Sequence, residues 1–333
     1  MEVISAERKI PYCVAIRSLP DSVHSGLQRC GRHHNPNLDM NPTTLLRSAS
    51  CWMAFALAST LPTKAETKIP DEYKTGGFFI GCQAYTFNRY TVFEAIEKTA
   101  AAGGKVIEFF PGQKLSKEDP TVAWDHNASD ETIQKVKDQL AKYHLQPVNY
   151  GVVGVPKNED EARKLFKFAK TIGLRAITTE SVDAIDTIEK MVKEFDIMVA
   201  FHDHPRRPDD ANYKMWDPNY ILSVVKDRDP RIGSCADTGH WVRSNLKPVD
   251  CLRILKGRIV SSHLKDLNEF GHNAHDVPYG EGVSDIPAIL QELKDQGFAG
   301  NISIEYEYHW ENSSPEVGQC IGFVRGYGAA KGW

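Results

Sequence analysis

The 333-residue chain has no apolar run long enough to span a bilayer; its most hydrophobic stretch, Cys51–Leu61, falls well short of the roughly 20 residues required. Cysteine is sparse, with seven in all and no CxxC pair, which excludes a dense disulfide framework and a thiolate metal cage. Cys82, Cys235, Cys251 and Cys320 are widely spaced and read as buried thiols. No GxGxxG loop follows the first strand candidate, and GVVGVPK at Gly151 lacks the third glycine, so a dinucleotide-binding sheet is excluded. Excess positive charge is absent too. The 40 Lys plus Arg face 44 Asp plus Glu, a net of −4, which argues against a partner held by phosphate contacts. What is present is a composition ordinary for a soluble globular protein, 41% hydrophobic and 25% charged.

The N-terminal region has its own texture. Residues 1–39 show no sustained periodicity and are expected to be a non-structured or mis-started extension. Residues 40–66 have the layout of a secretory signal peptide: a short start with Arg47, an apolar run, then small residues near Ala65. Translation from Met40 with cleavage near Ala65 predicts a periplasmic or secreted protein; another start predicts a cytoplasmic one. No membrane span is expected in the mature protein.

From residue 78 onward, short apolar runs alternate with segments of helical spacing. Strands are expected at 78–85, 105–110, 146–153, 174–179, 197–201, 231–236, 258–262 and 301–306, each followed by a helix. Gly103-Gly104, Gly173 and Gly297 come where helices should stop, and Pro218, Pro248 and Pro287 fall at or near helix starts. Eight βα units in about 250 residues match a closed (β/α)8 TIM barrel. Residues 75–330 are therefore expected to form a single barrel domain.

The last residues of these strands are polar: Glu108, Asn149, Glu180, His202, Asp237 with His240, His263, and Glu305. In a barrel such ends converge on one mouth. Buried carboxylates are costly unless paired or ligated, and one divalent ion held by two glutamates, an aspartate and a histidine would account for them. Oxygen and nitrogen donors leave Mn, Zn, Co, Mg and Fe all open.

The fragments IGCQAYTF (80–87), VIEFFPG (106–112), FHDHP (201–205), DTGHW (237–241), SHLKD (262–266), DVPYGEG (276–282) and SIEYE (303–307) resemble the xylose isomerase-like barrel superfamily, of the type that includes tagatose and psicose 3-epimerases. The resemblance covers about residues 78–328. It implies that Glu180, Asp237, His263 and Glu305 ligate one divalent metal ion. It places His202 in the substrate-binding position after strand five and His240 in the DxxH motif. Lys265 stands where the epimerases commonly use arginine, a departure because an ammonium cannot reproduce a planar guanidinium fork.

These residues point to an isomerase or epimerase acting on a free sugar or keto-sugar through a metal-stabilised enediolate. Glu180 and Glu305 are the expected catalytic pair, removing and returning a proton. His202, His240, Lys265, Glu108 and Trp241 are expected to bind substrate, and Asp266 to orient His263 or Lys265. Tyr85, Phe110 and Trp310 could pack on sugar faces. His272 and His275 lie in a long segment that could cover the site. Alternatives are a lyase or hydrolase acting on a 3-keto glycoside in the same metal site, and a non-catalytic carbohydrate-binding barrel. The related apurinic endonucleases use extra histidines where this chain has Glu108 and Asn149, so no nucleic acid partner is expected. A homo-oligomer stays open.

Overall fold

The computed structural model describes residues 68–333, so the two N-terminal expectations, 1–39 and 40–66, lie outside the described residues. Eight strands form the wall: β1 (Phe78–Gln83), β2 (Val106–Phe109), β3 (Gln146–Tyr150), β4 (Ala176–Thr179), β5 (Met198–His202), β6 (Ile232–Asp237), β7 (Ile259–Leu264) and β8 (Asn301–Ile304). Each pairs in parallel with its sequence neighbours, and β8 pairs back onto β1 with Ile302 opposite Ile80, closing the barrel. Closure leaves the barrel strands no free edge. A short strand at Lys74–Thr75 adds to β1 antiparallel across the barrel's N-terminal end.

The strands read as continuous apolar runs because both their faces are covered, inward by the barrel and outward by helices. Every residue of FFIGCQ in β1 and of IGSCAD in β6 is buried. The helices are α1 (Val92–Ala101), α2 (Asp130–Tyr143), α3 (Glu159–Ile172), α4 (Ile185–Phe195), α5 (Pro218–Val225), α6 (Thr238–Arg243), α7 (Pro248–Ile254), α8 (Ile286–Asp295) and α9 (Ser314–Lys331). Their ends follow local chemistry. Thr91 and Glu94 form a reciprocal capping box at α1, and Asn158 accepts from the Asp160 and Glu161 amides at α3. Gly173 ends α3 at φ 86°, a conformation that costs glycine little. The inward helix faces, among them Leu165, Phe166, Ile188, Leu290 and Ile321, join Phe87, Phe109 and Trp124 in one large core.

Three local features depart from the sequence pattern. The first strand stops at Gln83 rather than Tyr85, because the Gln83 side chain accepts the Tyr85 amide at 3.1 Å and turns the chain into a short 3-10 segment. Helix α6 begins directly after β6, where the Asp237 carboxylate accepts the His240 amide at 2.9 Å. Two hairpins of two-residue strands, 113–114 with 123–124 and 266–267 with 276–277, are too short to show periodicity. No described helix is long and apolar enough to cross a membrane.

Candidate active site

At the C-terminal mouth, β5, β6, β7 and β8 bring His202, Asp237, His263 and Glu305 together, with one donor atom from each within 4.8 Å of the others. Register explains the meeting: His263 lies directly opposite Asp237 in the β6–β7 ladder. His202 Nε2 is 3.1 Å from His263 Nδ1, which is 3.2 Å from Glu305 Oε2. Asp237 Oδ2 faces Lys265 Nζ at 2.9 Å, His240 Nε2 at 3.4 Å and His202 Nε2 at 3.5 Å. It nevertheless receives no well-directed hydrogen bond, and the buried His202 Nδ1 also lacks one. Buried polar atoms are normally satisfied, so this convergent set of oxygen and nitrogen donors fits a divalent ion.

Glu180 stands beside this group rather than in it. One of its oxygens accepts from Tyr213 Oη at 3.1 Å and pairs with His204 Nδ1. Glu180, His202 and His204 form a second donor group that shares His202 with the first. Of the four ligands expected from the sequence, Asp237, His263 and Glu305 therefore come together. His202, expected to bind substrate, takes the fourth place in their cluster.

Lys265 is 1% exposed and sits among three carboxylates, 2.9 Å from Asp237, 2.7 Å from Glu305 and 2.8 Å from Glu307. Its stem crosses Gly239, where a Cβ would come within 2.7 Å of Lys265 Cδ. Burial alone would neutralise this ammonium, but Asp237, Glu305 and Glu307 raise its pKa well above the ordinary lysine range. Burial would likewise raise Asp237 and Glu305. The groups around them win: the His240 ring and the Lys265 charge hold Asp237 well below the carboxylate range, and Lys265 with the His263 ring does the same for Glu305. Burial keeps His202 and His240 neutral by lowering both.

Other expected site residues take different places. Glu108 is wholly buried beneath the site. It accepts from Thr178 Oγ1 at 2.7 Å and Ser303 Oγ at 2.8 Å, and lies 3.1 Å from His263 Nε2, so it supports that ring and does not face a substrate. Trp241 packs in the core, because α6 turns it away from the mouth. Asp266 orients neither His263 nor Lys265. Its carboxylate accepts the amides of Gly280, Gly282 and Ser284 and so pins the loop after β7. His275 lies against Tyr308, ring centroids 4.4 Å apart and tilted by 33°, and neither it nor His272 joins a metal-ligating group among the described residues.

Beside the cluster lies a cavity of about 350 Å³ walled by Tyr85 and Phe110 on one side and by His202, His204, His240, Glu305 and Glu307 on the other. Tyr85 is edge-on to both Phe110 and Trp310. Glu180 is not part of the wall and reaches the cavity through His204. Arg243, 3.0 Å from Asp276 and 3.3 Å from both Glu307 and His240 Nδ1, ties these two wall residues together from behind. His204, Tyr213, Glu307 and Arg243 are thus site residues that the sequence reading passed over.

A parallel barrel whose strand ends supply His, Asp and Glu donors beside a polar cavity defines the class. The chain belongs to the xylose isomerase-like TIM barrel family, whose model matches residues 96–326. A protein from Parabacteroides distasonis is 30% identical and aligns over 75% of this chain and 98% of its own, with a TM-score of 0.60. A D-allulose 3-epimerase from Methylomonas sp. shares the fold at 16% identity, covering 75% of this chain and 97% of its own, TM-score 0.57. A dehydratase from Bacillus anthracis does so at 16% identity, covering 74% and 98%, TM-score 0.52. No curated protein matches the chain.

Proposed function

We propose that this barrel is a divalent-metal-dependent isomerase or epimerase that acts on a free sugar or keto-sugar by moving a proton on a carbon beside the carbonyl. The observation that carries the reading is the donor cluster His202, Asp237, His263 and Glu305 opening onto the cavity at the barrel mouth. These four would hold the ion, with Glu180 beside them. When bound, the ion supplies electrostatic stabilisation for negative charge that develops on the sugar oxygens.

The chain's own residues divide the remaining work. Glu305, kept ionised by Lys265, is the carboxylate on the cavity wall that takes the proton from carbon. On the β4–β5 side, His204 faces the cavity with Nδ1 engaged by Glu180, leaving Nε2 to exchange a proton with the substrate. Glu180 therefore acts through His204, and Tyr213 steadies the carboxylate. His240, neutral and cavity-facing, orients a hydroxyl, while the Tyr85–Phe110 wall packs on the apolar face of the ring. A lyase acting on a 3-keto glycoside is the second reading. The same imidazole could deliver a proton to a departing oxygen, and the barrel fold is shared with a dehydratase.

The test is proton exchange. Protein reconstituted with Mn²⁺ is incubated in D2O with D-fructose, D-tagatose and D-psicose, and deuterium at the carbon beside the carbonyl is followed by NMR. Incorporation that is lost in Glu305→Gln and on chelation supports the reading; loss of water or of an aglycone from a keto-glycoside selects the lyase. Absence of both reactions, together with no stoichiometric divalent ion by elemental analysis, refutes the metal site.

A further inference from the structure

A second cavity, about 380 Å³, lies at the opposite, N-terminal end of the barrel, where nothing in the proposed chemistry reaches. Its wall combines basic side chains, Lys68, Lys74, Arg175 and Lys294, with the apolar surfaces of Ile69, Phe79 and Phe298. One carboxylate, Asp71, lines it, and that group is already 2.7 Å from Lys74.

Lys294 is the informative residue. Its half-buried ammonium donates to the Gly77 carbonyl at 2.8 Å and lies 4.8 Å from the Phe78 ring centroid and 5.2 Å from that of Trp333. No carboxylate pairs with it among the described residues. Burial, and secondarily the charge of Lys74, depress its pKa, so this ammonium stands partly desolvated with a second cation nearby. Arg175 spans the barrel floor from the foot of β4 to the Val260 carbonyl at 2.9 Å, which fixes a guanidinium in the same wall. A half-buried ammonium without a carboxylate partner, such as Lys294 on this concave and partly apolar surface, is stabilised when an anion joins it.

We propose that this cavity binds a small organic anion, a phosphate or carboxylate head on an apolar body. The head sits between Lys74 and Lys294, and the body lies against Phe79 and Phe298. The site is independent of the sugar chemistry at the mouth.

Calorimetric titration of the full chain at low ionic strength tests it, with phenyl phosphate, benzoate and uncharged benzyl alcohol as probes. Saturable one-to-one binding of phenyl phosphate or benzoate is expected, with the tighter of the two identifying the head group and the alcohol at least about tenfold weaker, as charge-assisted hydrogen bonds dictate. Lys294→Gln and Lys74→Gln should each weaken the anion about tenfold. Should Lys294→Gln fail to fold, Lys74→Gln, on a more exposed side chain, carries the comparison. Glu305→Gln should leave the affinity unchanged. Failure of both anions to saturate, equal binding of the alcohol, indifference to the lysine variants, or loss of binding in Glu305→Gln would each overturn the site.

Discussion

Replacing Lys265 with methionine keeps the stem and removes one charge from the centre of the molecule. The ammonium lies 2.7–2.9 Å from Asp237, Glu305 and Glu307, and the side chain is 1% exposed. Breaking a buried ion pair by deleting one partner costs about 3–5 kcal/mol, and the loss of a cation shared by three carboxylates places this case at the upper end, about 5 kcal/mol. For a domain of this size each kcal/mol moves the melting temperature by roughly 2–4 °C, so Lys265→Met should melt roughly 10–20 °C below the parent. The assay is urea and thermal unfolding of chelated protein at pH 7. The sign with pH follows from the carboxylates. Asp237 and Glu305 titrate below their ordinary range in the parent, so the parent's advantage is complete above about pH 4 and fades as the solution becomes more acidic. Added Mn²⁺ should narrow the gap, because an ion on the same carboxylates replaces part of the lost charge. A cost under about 1 kcal/mol would refute the reasoning, since it would mean that Asp237 and Glu305 are not held ionised by this lysine.

Other expectations follow from the same geometry. Gly239→Ala, usually favourable within a helix, should instead cost about 1–3 kcal/mol, because the new methyl group meets the Lys265 stem; an increase in stability by urea unfolding would contradict the packing. Asp229 is held at about 2 by hydrogen bonds from Arg231, so Asp229→Asn should lose about 2 kcal/mol at neutral pH, with the deficit closing between about pH 4 and pH 2 as the parent carboxylate protonates. Burial pushes the Cys82 thiol up to about 12 and Cys235 up to about 11, so mass spectrometry should find both unalkylated after iodoacetamide at pH 8 in native protein and modified in urea. His204→Asn should reduce proton exchange about 100-fold or more, in proportion to the usual worth of a positioned acid–base group, and added imidazole should restore part of it in His204→Gly; unchanged exchange would return the role to Glu180 alone.

The barrel was legible because each strand is a short apolar run bounded by glycine, proline or polar residues, and each long helix shows a buried stripe such as Leu165, Phe166, Ala169 and Ile172. The polar strand ends were legible for the same reason: Glu180, Asp237, His263 and Glu305 interrupt runs that are otherwise apolar. What escaped lies where one-dimensional pattern carries little information. Tyr213 sits in HPRRPDDANYK, a stretch that reads as solvated loop, and only the folding of that loop toward Glu180 gives it a part. Glu108 and Trp241 read as mouth residues by position along the chain. Glu108 instead finds hydroxyl donors on β4 and β8 below the site, and helix α6 starts directly after β6, carrying Trp241 into the core.

His204, Lys265 and Glu307 share a signal that the sequence does contain. Each follows a cluster residue by two positions, giving the pairs His202 and His204, His263 and Lys265, Glu305 and Glu307. Extended backbone sends residues i and i+2 to the same face and advances along the barrel axis by about 7 Å, so a pair at this spacing places a second polar group one layer nearer the mouth. Here the first layer is the donor cluster, and two of the three second-layer residues, His204 and Glu307, wall the cavity. Lys265 breaks the rule because Gly239 beneath it leaves room for its stem to fold back, which returns its ammonium to Asp237 and Glu305. The glycine in DTGH thus decides whether the end of β7 presents a cation to the cavity or lends it to the carboxylates, and the position of Lys265 depends on a residue from a different strand end.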